Sequence, residues 1–191
     1  MRERLVAWAE DCRVDGDVEL GEGRLSDEVN DRELLTFFGA TLESIDDGHR
    51  VQLDEVEVAR RELSLIEVDG RRGEPARRLR TIREAVQLEV GPYLVTGHVH
   101  RAPTSPPLVA LTRWSRFLPV TEALLVVVTE TAQADAEPRR HEVLLVNRDR
   151  IRKYQALSEP EPGEEAGDGE PAPGVVDRGF EAPVATVDTA G

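Results

Sequence analysis

The chain has 191 residues, 39% hydrophobic and 32% charged, with a mean hydropathy of -0.41, which suits a soluble protein with apolar material for one or two small cores. The longest apolar run, Ala123 to Val128, is closed by Glu122 and Glu130, far short of the roughly 20 residues that a bilayer-crossing helix needs. The net charge of -14 speaks against general nucleic-acid binding, although that charge is unevenly spread.

From the N-terminus, Met1-Arg2-Glu3-Arg4-Leu5 turns acidic at Glu10 and Asp11 before an apolar stretch forms, so no signal peptide is recognised and the expected compartment is the cytoplasm. Cys12 is the single cysteine and allows no internal disulfide. Its acidic neighbours raise its pKa, as suits a packed thiol. Gly21-Glu22-Gly23 is too short and too acidic for a phosphate loop. The one helical signal runs from Leu25 to Leu35 and predicts one or two turns, with Ser26 as cap and Asp27 and Glu28 at the positive end. Glu55-Val56-Glu57-Val58 and Leu63-Ser64-Leu65 then alternate as half-buried strands do. Residues 1–69 carry 20 acids against 8 Arg.

Turn residues from Asp69 to Pro75 mark a linker over 69–79. The six Arg between Arg71 and Arg83 make the strongest electrostatic feature of the chain, and Arg77, Arg78 and Arg80 are its candidate binding residues. Tyr93, Val95, Gly97 and Val99 share one strand face, with Leu94, Thr96, His98 and His100 on the other. Trp114 lies between Arg113 and Arg116, a combination that can stack on a base or a peptide. The remaining aromatic residues, among them Trp8, Phe37, Phe38, Tyr93 and Phe117, are expected in the core or between repeats. Leu124 to Val128 reads as a strand covered on both faces. Arg148, Arg150, Arg152 and Lys153 alternate with Asp149 and Ile151, which predicts a basic strand face. Residues 70–157 carry 15 basic side chains against 9 acids. From Ser158 the chain is rich in Glu, Pro and Gly, with 9 acids against Arg178 alone, and 158–191 is expected to be disordered. Val175, Val176 and Phe180 would form a docking peptide on that tether.

Self-comparison finds an internal repeat. Asp15-Gly16-Asp17-Val18 matches Thr96-Gly97-His98-Val99, 81 residues later. At a separation of 83, Leu34-Leu35 falls on Phe117-Leu118 and Ala40-Thr41-Leu42 on Ala123-Leu124-Leu125. At 88, Val56-Glu57-Val58 falls on Leu144-Leu145-Val146, and Leu63 on Ile151. The fold expected is mainly β: two repeated small barrel-like units with a short helix, over 1–68 and 80–157, plus the tail. Each unit is small for an independent core, so the two either share an interface or close one pseudo-twofold barrel.

Gly23-Arg24-Leu25-Ser26-Asp27-Glu28-Val29-Asn30, Phe117-Leu118-Pro119-Val120-Thr121-Glu122-Ala123 and Val146-Asn147-Arg148-Asp149-Arg150-Ile151 together resemble a bacterial domain of unknown function. That family's pattern runs Arg-Leu-Ser-Asp-x-Leu-Asn, Phe-Leu-Pro-Leu-Thr-Asp-Ala, then Val-Asn-Lys/Arg-x-x-Ile. The first copy keeps the opening piece and the second keeps the later two, so the match spans most of 1–156. The resemblance implies a small β-rich domain and no chemistry.

No acid/base pair, Ser-His-Asp order or cofactor motif is recognised, and no metal or cofactor is expected. The weak metal candidates are His98 and His100, whose spacing puts both imidazoles on one face, with Asp17 and Glu19 as their counterparts in the repeat. The candidate binding surface is Arg77, Arg78, Arg80, Arg113, Trp114, Arg148, Arg150 and Arg152. The expected function is a non-enzymatic cytoplasmic binding or scaffold protein engaging a protein partner or a second copy, with no membrane. The alternative is a nucleic-acid-binding small barrel autoinhibited by its acidic tail.

Overall fold

Alternating apolar and polar residues make ten strands and one short helix in the computed structural model, which describes residues 2–21, 23–68, 81–104, 115–128 and 138–157. The linker 69–79, Arg77, Arg78, Arg80, Arg113, Trp114, the tail 158–191 and its Val175, Val176 and Phe180 lie outside the described residues. The first half contains β1 (Arg2–Trp8), β2 (Cys12–Glu19), α1 (Leu25–Asp31), β3 (Leu34–Ser44), β4 (Arg50–Ala59), a 3-10 turn (Arg60–Glu62) and β5 (Leu65–Glu67). The second contains β6 (Ile82–Val90), β7 (Tyr93–Arg101), β8 (Phe117–Val127), β9 (Arg139–Asn147), a 3-10 turn (Arg148–Arg150) and β10 (Ile151–Ala156).

All ten strands form one antiparallel sheet in the order β10-β6-β7-β8-β9-β5-β1-β2-β3-β4. The sheet does not close. Because β5 pairs with β9, the ladder runs through the middle of the chain and ends at β10 and β4, so the single pseudo-twofold barrel that the sequence allows is not formed. The described residues fall in one compact unit.

Three local expectations are corrected. Helix α1 stops at Asp31, its cap position is Arg24 with no side-chain cap bond, and Ser26 sits inside it; Arg32 is extended at φ -103 and ψ 145, and Leu34 and Leu35 open β3. Arg148 to Arg150 form a 3-10 turn, so the basic residues from Arg148 to Lys153 do not share one strand face. Burial on both sides falls instead on central strands, at Ala7-Trp8 of β1, Leu65-Ile66 of β5 and Leu144-Leu145-Val146 of β9; in β8, Leu124 and Val126 remain half-buried on the outer face.

Two cores result, one on each face of the central strands. Trp8, Leu65, Leu144 and Val146 face one core, together with Val86, Leu88, Tyr93, Val95, Leu118 and Leu125 of the second half. Leu5, Ala7, Ile66 and Leu145 face the other, with Val14, Val18, Leu35, Phe37 and the α1 residues Leu25 and Val29 of the first half. Period-two alternation alone produces this division, since each step along β1, β5 and β9 swaps the face that a side chain occupies. Phe38 joins neither core. Its ring lies under the Arg2 guanidinium, 4.1 Å from the centroid.

The pairing register recurs at separations of 81, 83 and 88 residues. Asp15↔Thr41 and Asp17↔Phe38 in the first half correspond to Thr96↔Leu124 and His98↔Thr121 in the second, each with a bulge between them. The bulge puts Gly39 at φ 55 and Glu122, 83 residues later, at φ 52. Likewise Ala7↔Ile66 corresponds to Leu88↔Tyr154, and Leu34↔Ala59 to Phe117↔Asn147. The five-strand orders β5-β1-β2-β3-β4 and β10-β6-β7-β8-β9 are therefore the same.

Gly16 and Gly97 occupy equivalent places where the bulge brings the neighbouring backbone close. A Cβ on Gly97 would lie 2.7 Å from Val120 Cγ1 and 2.9 Å from the Thr121 carbonyl oxygen, whereas on Gly16 the nearest atom would be 3.1 Å away. Gly97→Ala should therefore lower stability by about 3 kcal/mol and Gly16→Ala by about 1 kcal/mol. The difference would be read from urea unfolding midpoints at equal slope.

Candidate functional site

On the outer face of the second half, β7 presents His98 and His100 between Arg83 of β6 and Thr121 and Glu122 of β8. Arg83 Nη2 lies 3.0 Å from His98 Nδ1 and donates to Glu122 Oε2 at 2.6 Å. His100 Nε2 is 2.9 Å from Thr121 Oγ1. The Arg83 hydrogen bond holds the Glu122 carboxyl below its usual range. Burial, followed by the positive charge of Arg83 and by His98, holds His100 below its usual value. Asp17 and Glu19 do not join the pair, because β8, β9, β5 and β1 separate β2 from β7 in the sheet. Among the described residues, no group of three or more His, Cys, Asp or Glu has metal-site geometry. Glu122 was not legible as part of this cluster. The signal for it was its alignment with Gly39, which marks a bulge that turns the side chain at 122 outward.

The second polar region joins the two halves. Arg150 reaches Glu10 at 3.4 Å and Glu62 at 3.1 Å and donates to the Arg61 carbonyl at 2.8 Å, while Arg152 meets Glu10 at 3.0 Å. Arg148 and Arg116 both pair with Asp149, at 3.2 and 2.8 Å. Of the basic residues singled out from sequence, Arg150 and Arg152 are thus brought together on Glu10 of the first half, while Arg148 pairs with its neighbour Asp149. Exposed pairs of this kind contribute up to about 1 kcal/mol each. Their main effect is to consume the charge that would otherwise face an anion.

Buried polar groups hold the seam between the halves. Asn147 is fully buried; its Nδ2 donates to the Leu63 carbonyl at 2.7 Å and its Oδ1 accepts from the Asp149 amide at 3.1 Å. The Asn147 amide donates to the Ser64 carbonyl at 2.8 Å, and the Ser64 amide to that of Trp8 at 2.7 Å. Asn30 of α1 pairs with both polar groups of the Phe117 backbone, accepting at 2.9 Å and donating at 3.2 Å. Tyr93 donates to the Ala9 carbonyl at 2.5 Å, and burial pushes its hydroxyl pKa upward. His141 meets Glu67 at 3.0 Å and sets its ring edge-on to Trp8, 5.8 Å between centroids. Cys12, equivalent to Tyr93, is pushed up to about 11, first by burial and then by Asp11, so it is an unreactive thiol at neutral pH.

The sheet edges form the third region. β4 has ten residues and pairs only with β3, while β10 has six and pairs only with β6, among the described residues. β4 displays Asp54, Glu55 and Glu57, with Val51 among the exposed apolar side chains; β10 displays Arg152 and Lys153. An edge of this kind offers a row of backbone donors and acceptors to a further strand.

Because His100 is held below its ordinary value of 6.5, protonation favours the unfolded chain. Its contribution to stability is complete above about pH 6.5 and is lost as the pH falls through that value toward its folded pKa. The urea midpoint should fall between about pH 7 and about pH 5, and His100→Gln should make that fall shallower. An unchanged slope in the variant would contradict the assignment.

No family model matches the chain, and comparison with curated proteins and with solved structures gives no significant similarity.

Proposed function

We propose that this chain is a non-enzymatic binding or scaffold protein, built from two copies of one five-stranded barrel-like unit, that engages protein partners by strand addition at β4. The observation that carries this reading is the edge itself. β4 runs for ten residues, alternates between half-buried Leu53, Val56 and Val58 and exposed acids, and has one hydrogen-bonded neighbour among the described residues. A partner strand laid along it would gain main-chain hydrogen bonds, with Asp54, Glu55 and Glu57 selecting basic residues in the partner.

The competing use, a basic face for nucleic acid, receives less support from the described residues, since Arg150 and Arg152 already contact Glu10.

The test is selection of displayed peptides of about nine residues on the intact protein, followed by amide exchange of the complex. Selected peptides should alternate apolar and basic residues and should slow exchange within residues 50–59. Asp54→Lys combined with Val51→Lys should abolish their binding. Peptides that protect other strands and leave β4 unchanged would overturn the reading.

A further inference from the structure

The two edges that have one hydrogen-bonded neighbour among the described residues, and are free in that sense, are not unrelated surfaces. In the five-strand order shared by both halves, β4 is the equivalent of β9, and β10 is the equivalent of β5. Strands β9 and β5 pair with each other inside the chain, through Leu65↔Val146, Ile66↔Leu145 and Glu67↔Leu144. The free edges are therefore the two matching sides of a junction that the molecule already makes once. We propose that the strand received by β4 is β10 of a second copy of this chain, added head to tail in the register of the internal junction. The inference rests on the strand-addition reading above and names its partner.

Carrying each residue of the internal junction to its equivalent, 88 positions away, places Val58 opposite Lys153, Glu57 opposite Tyr154 and Val56 opposite Gln155 of the second copy. Lys153, opposite Val58, then lies beside Glu57 and brings a basic edge to the acids of β4, while Arg152, at the bulge between Ile151 and Lys153, keeps its contact with Glu10 of its own chain. The internal junction uses Leu145 and Ile66 at the Glu57 and Tyr154 positions, because both are permanently covered. Polar residues at the free edges keep each copy soluble until it meets another, and their signs are opposite on the two edges.

Leu34 supplies an independent observation. It is 51% exposed, one of four large apolar residues so placed among those described. Its equivalent is Phe117, which is 1% exposed, enters the first-half core and is bonded to Asn30 across the internal junction. A second copy joined at β4 would cover Leu34 as the first half covers Phe117. A head-to-tail contact repeats until it closes on itself, so the product is a ring of whole chains or a longer series.

The experiment is native mass spectrometry and light scattering of the full chain from about 1 to about 200 µM. Species of two or more chains should accumulate with concentration. Glu57→Arg and Lys153→Glu, each alone, should weaken association at least about tenfold, and Leu34→Ser should weaken it as well. Combining Glu57→Arg and Lys153→Glu in one chain should restore assembly, and mixing the two single variants should restore it with the two variants alternating, since both junctions between unlike chains are again oppositely charged. Thermal unfolding at low concentration checks that each variant is folded. A monomer over the whole range, an oligomer indifferent to these substitutions, or a double variant that fails to recover would overturn the proposal. If the chain is monomeric yet selected peptides still protect β4, the self-association fails and strand addition stands; if neither occurs, both fail.

Discussion

The pairing of β5 with β9 is the interaction on which the rest of the structure depends. Three residues of β5 meet three of β9, and with β1 they form a stretch of sheet that has apolar side chains on both faces. Without that short ladder, Leu65 and Trp8 would have no second-half core to enter, and Leu145 and Phe117 no first-half core. Hydrogen bonding sets the join, and hydrophobic burial on both sides makes it worth several times what three strand pairs contribute alone. Asn147 and Ser64 extend the join past the end of the ladder. A buried amide that satisfies both Leu63 and Asp149 leaves no orphan carbonyl where the chain turns into its 3-10 segment.

Much of the strand content was legible because it rests on period two. Tyr93, Val95 and Val99 enter the second core as their spacing implies, and the separations of 81, 83 and 88 residues read from sparse identities are those at which the pairing register recurs. The separations could be read because Gly16 and Gly97, each in close contact with a bulge, are anchors that tolerate little change. The end of α1 was less legible. Leu34 and Leu35 continue a helical spacing, yet Leu35 is claimed by the core through strand geometry, so tertiary burial outweighs local propensity.

The polar sites were hidden for a different reason. Arg150 and Glu10 are 140 residues apart, and only the fold of both halves brings them together. Counting charges by block showed that the halves have opposite signs, but not which side chains meet. The pair His98 and His100 could be placed on one face from spacing alone. What faces them, Arg83 and Glu122, depends on the neighbours β6 and β8 and on a bulge that no residue type at 122 announces.

The exchange of side chains across the seam bears on how the molecule comes apart. Trp8 and Leu65 belong to the first half in sequence but complete the core of the second; Phe117 and Leu145 do the reverse. If either half melts, it takes part of the other's interior with it and leaves a hole that the remaining half cannot fill. The two halves are therefore one thermodynamic unit despite their separate cores, and their loss of structure is a single all-or-none event.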